Sequence, residues 1–176
     1  MKKVLLIMAL GLMPALTVAG EISLNLDRCA VLNDPTDQAA ESRIALHFTI
    51  PDSLNIRRIY YAELVISVPI QPLTDDSLFE LLVFPLTSEW GEEDIDYAAG
   101  EAITDSVLIG TKMVKLGESH EFHIDITPFV HDILAGSRPN HGLIAQADLL
   151  GDRNLQIPGS FNGSMRDSTR VRIVYR

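Results

Sequence analysis

From Gly20 onward the chain alternates apolar and polar residues with a period of two, run after run. Ile22, Leu24 and Leu26 alternate with Ser23, Asn25 and Asp27. Ile44, Leu46, Phe48 and Ile50 alternate with Arg43, Ala45, His47 and Thr49. Ala62, Leu64, Ile66 and Val68 form a third row, Phe122, Ile124 and Ile126 a fourth, and Val171, Ile173 and Tyr175 a fifth. In an extended chain every second side chain lies on the same face, so each run predicts a strand with one buried and one solvated side. Residues 78–86 are apolar on both faces, which predicts a strand inside a sheet rather than at its margin. Residues 106–109, 112–116 and 142–147 are further strand candidates.

Turn chemistry punctuates the runs at residues 51–53, 69–72, 117–119 and 136–142, which are rich in Pro, Gly, Ser and Asp. Many short strands with little helix between them exclude βαβ units. They point to an all-β sandwich or barrel, and the alternating rows predict a two-sheet antiparallel β-sandwich with one short helix. That helix is expected at 127–135. Thr127 is placed to cap it and Pro128 suits its first turn. Phe129 with Ile133, and Val130 with Leu134, supply apolar pairs four residues apart. Gly136 suits the left-handed position that ends a helix.

Residues 1–19 stand apart from this pattern. Lys2 and Lys3 precede an apolar stretch at 4–16, and Thr17 and Ala19 place small residues before Gly20. This is the layout of a secretory signal peptide, and the stretch is shorter than the ~20 residues of a spanning helix. The expected division is a signal peptide over 1–19 and one domain over 20–176, exported to the periplasm, the cell surface or the medium, with no membrane span in the mature chain. Loss of Lys2 and Lys3 from 14 cationic side chains leaves 12 against 24 acids, moving the formal charge from −10 to −12. Such a surface repels phosphate backbones and anionic membranes, which excludes nucleic acid as a partner. Cys29 is the sole cysteine, so no internal disulfide forms, and a buried apolar role is expected for it.

No catalytic arrangement is evident. His120 and His123 are three apart in a strand and so face opposite ways, and no other histidine spacing fits a zinc site. There is no G-x-S-x-G, and no spacing marks a pair of facing carboxylates among the acids. These features predict a protein that is not an enzyme. The acidic loop at 89–96 is the densest run of charge. Glu92, Asp94 and Asp96 in it are candidate calcium ligands, since calcium takes several carboxylate and carbonyl oxygens. No other cofactor is indicated. Sugar recognition uses exposed rings beside planar polar groups, and Tyr60, Tyr61, Trp90 and Tyr97 are the candidate rings. Tyr61 is expected to be the most exposed of these because it shares the polar face of its strand with Glu63. Trp90 is expected to be buried. Arg166 lies near the C-terminus with Arg170, Arg172 and Arg176, and the last three share a strand parity that predicts a cationic stripe on one sheet face. Asn162-Gly163-Ser164 fits a glycosylation sequon.

Four segments carry a family likeness. RIALHFTIPDSLNIRRIYYAELVISVP, at 43–69, holds an F-x-I-P turn and an A-x-L second strand. FPLTSEWGEEDIDY, at 84–97, places Trp90 and Glu92 in a W-x-E block, with Tyr97 where a second Trp would stand. IDITPFVHDILAGSRPNHG, at 124–142, aligns Asp125, Thr127, Val130, Gly136, Asn140 and Gly142 with the pattern D-V-T-x-x-V-x-x-W-x-x-G-x-x-N-x-G, Leu134 replacing its aromatic. Residues 161–175 supply a closing strand pair. In these features the chain resembles the DNRLRE-type domain, a disaggregatase-related β-sandwich classed near carbohydrate-binding modules. The resemblance implies a jelly-roll-like sandwich of exported proteins that binds polysaccharide or contributes to surface adhesion. The residues proposed for sugar contact are Tyr61, Tyr97, Arg170 and Arg172. The acidic balance predicts a neutral glycan, or one bridged by a divalent cation. The alternative is a structural or assembly protein whose partner is another protein chain at the surface.

Overall fold

In a computed structural model, residues 19–33, 42–67, 78–115, 121–149 and 169–176 are described. Among these residues, nine strands, all paired antiparallel, form two sheets. The strands are β1 Gly20–Asn25, β2 Arg28–Asn33, β3 Ser42–His47, β4 Ile59–Ser67, β5 Leu78–Pro85, β6 Gly110–Lys115, β7 Glu121–Asp125, β8 Leu143–Leu149 and β9 Arg170–Tyr175. Two α-helices accompany them, α1 Tyr97–Ala102 and α2 Thr127–Leu134. The four-stranded sheet runs β1-β9-β4-β7 and the five-stranded sheet β2-β3-β8-β5-β6. With β2 set aside, the remaining eight strands interleave in jelly-roll order, 1-8-3-6 facing 2-7-4-5. β2 is an addition, hairpinned onto the outside of β3.

The main core lies between the sheets and is built from the alternating rows. Ile44, Leu46, Phe48, Leu64, Ile66, Val83, Phe122, Ile124, Leu143, Val171 and Ile173 are all buried in one cluster. A one-residue slip in any strand would have turned its row to solvent, so the registers read from the sequence are right. Cys29, the sole cysteine, is buried in the same cluster.

The expected helix is α2, whose Phe129 and Val130 enter this core, Phe129 meeting Phe48 edge-on at 6.3 Å. Its cap differs from expectation by one position. Ile126 is the capping residue, while the Thr127 hydroxyl accepts the Ala62 N–H at 2.8 Å and so fastens the helix to β4. Gly136, at φ +71°, ends the helix as expected.

Four features depart from the sequence reading. A second helix, α1, follows the acidic loop. Residues 106–109 are not a strand; β6 begins at Gly110. Strand β2 lacks a clean alternation because both of its faces are covered. The fourth departure explains the third. The segment 86–103 folds over the outer face of the five-stranded sheet and builds a second apolar cluster there. Leu86 and Trp90 pack on Ala30, Leu32, Ala45 and Ile144, with Ile95, Tyr97 and Ile103 around them. The polar row of β3 is therefore not solvated: Arg43 and His47 are both buried. The expected turns at 69–72 and 117–119, His120, the sequon, Arg166 and most of the closing pair at 161–175 lie outside the described residues. No helix among the described residues is long and apolar enough to cross a membrane.

Candidate functional site

The outer face of the four-stranded sheet is where predicted site residues meet. In β4 the residues Tyr61, Glu63 and Val65 point away from the core. β9 lies on one side, with Arg172 opposite Glu63 and Arg170 opposite Val65. β7 lies on the other, with Asp125 opposite Glu63 and His123 opposite Val65. Three of the four residues expected to contact sugar, Tyr61, Arg170 and Arg172, thus share one surface. Tyr97 does not. It starts α1 on the opposite sheet, where the Arg43 guanidinium lies 4.5 Å from its ring centre.

Glu63 is the centre of the array. It is only 5% exposed, and a carboxylate that far from water is costly unless charge and hydrogen bonds surround it. The Tyr61 hydroxyl donates to its Oε2 at 3.0 Å. Arg172 forms an ion pair with its Oε1 at 3.0 Å and His123 Nδ1 lies 3.3 Å from the same oxygen, neither in hydrogen-bond alignment. The network then spreads outward. Arg172 Nε lies 3.4 Å from Glu21, His123 Nε2 lies 3.9 Å from Glu121, and Arg170 meets Glu121 at 3.2 Å. The cationic stripe expected along β9 is therefore a row of alternating charges. Burial pushes the Tyr61 hydroxyl above the ordinary phenol range, and its hydrogen bond to Glu63 adds to the shift. The middle of this face is closed to solvent, with Glu63 and Val65 both buried, and the polar groups left at its surface are the part-exposed side chains of Tyr61, His123, Arg170 and Arg172. His123 and Glu63 are the members that sequence reasoning missed. Their signal is parity: each stands on the polar side of an alternating strand.

The expectation that Tyr61 is the most exposed ring is not met. Tyr60 is more exposed, because the pairing of β4 with β9 shifts register between Ile59 and Tyr61 and turns Tyr60 outward.

The acidic loop is used for construction. Glu92 accepts the Cys29 N–H at 2.8 Å, and Asp96 caps α1 by accepting the Ala99 N–H at 2.8 Å. Asp94 turns back toward Gly91. Among the described residues, no three His, Cys, Asp or Glu side chains converge so as to hold a metal ion. Trp90 is buried as expected. Its indole N–H donates to the His141 carbonyl at 2.9 Å. The Arg28 guanidinium lies 5.1 Å from the indole ring centre and donates to the Trp90 carbonyl. Trp90 also lines an open cleft of about 510 Å³, together with Arg28, Glu89, Gly91, Asp94, Ile95, Ala99 and Ile103. Glu89 at its rim is held below the usual carboxylate range by hydrogen bonds from His141 and then Arg28.

The fold and this array together define an all-β sandwich with a polar, aromatic-edged sheet face. No protein-family model and no curated protein matches the chain.

Proposed function

We propose that this chain is an exported, non-catalytic β-sandwich module of the DNRLRE type that binds polysaccharide at the cell surface or in the surrounding matrix. The observation that carries the reading is the convergence of Tyr61, Arg170 and Arg172 with Glu63 and His123 on one sheet face. Their side chains supply paired donors and acceptors at strand spacing, the requirement for gripping sugar hydroxyls. The arginines are already neutralised by Glu21, Glu63 and Glu121, which favours a neutral glycan over a polyanion.

The family assignment is supported by what the resembling residues do. Asn140 donates to the Phe48 carbonyl at 2.7 Å, Asp125 accepts the Thr127 N–H at 2.8 Å, and Thr127 ties α2 to β4. Trp90 and Glu92 fasten the acidic loop to residues 141 and 29. Each of these motif residues thus closes a loop of the sandwich. A glycan array probed with the chain from Gly20 onward, with and without calcium, tests the proposal. Retention of neutral polysaccharides is expected, and uniform failure to bind would refute it.

A second reading, an assembly protein with another chain as partner, rests on a different observation. Val107, Leu108 and Met113 are exposed apolar side chains on and just before β6, an edge strand of the five-stranded sheet. A concentration-dependent oligomer in sedimentation, lost in Met113→Lys, would favour it.

A further inference from the structure

Of the eight described arginines, Arg28, Arg43, Arg138, Arg170 and Arg172 are ion-paired to carboxylates. Among the described residues, no carboxylate pairs with Arg57, Arg58 or Arg176, and these three sit together. The Arg58 N–H donates to the Arg176 carbonyl at 3.0 Å and the Arg176 N–H returns the bond at 2.9 Å. Two of the side chains lie against aromatic rings, Arg57 5.8 Å from the Tyr175 ring centre and Arg58 5.5 Å from that of Tyr60. Beside them Ile56 is 86% exposed. It does not hang on a slack loop. Leu54 is buried, and the turn is closed by hydrogen bonds from Leu54 to Pro51, Asn55 to Asp52 and Arg57 to Leu54. The fold therefore holds an isoleucine out into water, flanked by an exposed tyrosine and by arginines that no described carboxylate pairs.

The same pole receives the N-terminal segment. Gly20 pairs with Tyr175, so β1 begins here. The apolar stretch that ends at Leu16 lies four residues before Gly20, a reach of at most about 14 Å. Until the expected cleavage before Gly20, that stretch in a bilayer would hold this pole close to the lipid surface.

We propose that this pole docks on an anionic phospholipid surface, with Ile56 and Tyr60 entering the interface and Arg57, Arg58 and Arg176 meeting lipid phosphates. Cations over a negative leaflet, an interfacial tyrosine and an inserted aliphatic side chain each contribute to such binding. The net charge of the molecule opposes it only weakly, because salt screens charges beyond about 8 Å. A hydrated polyanion would use the arginines but would gain nothing from Ile56.

The chain from Gly20 onward carries every described strand and helix and is the form to test. Its co-sedimentation is measured with phosphatidylcholine vesicles and with mixed phosphatidylcholine–phosphatidylglycerol vesicles. Binding to the mixed vesicles alone, weakening as salt rises, is expected. The double variant Arg57→Gln/Arg58→Gln should lose about 30-fold in affinity. Ile56→Ser should lose about tenfold, while Arg57→Lys/Arg58→Lys should keep most of it. Far-UV circular dichroism checks that all variants are folded. Absence of binding to the mixed vesicles at low salt, or undiminished binding by the Gln double variant, would overturn the proposal. So would binding to dextran sulfate that is indifferent to Ile56→Ser, without vesicle binding, since that would make the pole a polyanion site.

Discussion

Trp90→Ala should destabilise the sandwich by about 3–5 kcal/mol, the range for removing a large buried aromatic. The indole is 7% exposed and is the largest side chain of the second cluster, packed with Leu86 on Ala30, Leu32, Ala45 and Ile144. Its loss leaves a cavity over the five-stranded sheet, strips the His141 carbonyl of its donor and removes the ring beneath Arg28. The last two terms are small, about 1 kcal/mol each. Trp90→Phe separates them from the cavity: it keeps most of the apolar volume, loses only the N–H donor, and should cost about 1–2 kcal/mol. Trp90 is the sole tryptophan, so unfolding in urea must be followed by far-UV circular dichroism rather than indole emission. For a domain of this size the Ala variant should melt roughly 6–20 °C lower. A Trp90→Ala protein that unfolds with its parent but no longer binds a glycan would refute the reasoning, because the ring would then be a binding platform.

Three further outcomes are expected. Gly142→Ala should cost about 3 kcal/mol, since Gly142 has φ +96° and a methyl there would strike the Leu46 carbonyl oxygen; a melting temperature unchanged from the parent would contradict this. Arg172→Met should cost about 2 kcal/mol by leaving Glu63 buried with a cation missing, discounted because Arg172 itself is half-exposed; adding Glu63→Met should recover much of that loss in a double-mutant cycle. Burial raises the Asp27 carboxyl, but hydrogen bonds from Thr49 and His47 outweigh it and hold Asp27 below its ordinary 3.8. A depressed carboxyl stabilises the fold above its unfolded value, and this contribution disappears as pH falls through the folded value. Asp27→Asn should therefore lose stability at neutral pH and show a flatter decline below about pH 4 in thermal melts across pH.

The registers are legible in the sequence because each core strand has one wet and one dry side, and a period of two admits only one way to bury it. Ile44, Leu46 and Phe48, or Phe122 with Ile124, need no tertiary information to be placed. The second face of the five-stranded sheet is another matter. Arg43 and His47 read as solvated because they alternate with apolar neighbours, yet segment 86–103, remote in sequence, builds over that face. Arg43 is accommodated by the Tyr97 ring and Glu101, and His47 by Asp27 and the Asn140 carbonyl. Strand β2 escapes sequence reading for the same reason, since a strand buried on both sides shows no alternation. At the candidate site, parity alone puts Tyr61, Arg170 and Arg172 on one side of their strands. That β4 and β9 are neighbours, and that Glu63 sits between them, depends on jelly-roll pairing between strands far apart in the chain.

The sheet-face assignment is tested most directly by isothermal titration of a neutral polysaccharide retained on the array. The parent is compared with Tyr61→Ser, Arg170→Gln and Trp90→Phe, each shown to be folded. The account predicts that Tyr61→Ser and Arg170→Gln each weaken binding by about tenfold, the equivalent of one lost contact, while Trp90→Phe binds as the parent does. Binding that survives both sheet-face substitutions and fails in Trp90→Phe would contradict it and place the ligand in the cleft beside Arg28 and Glu89.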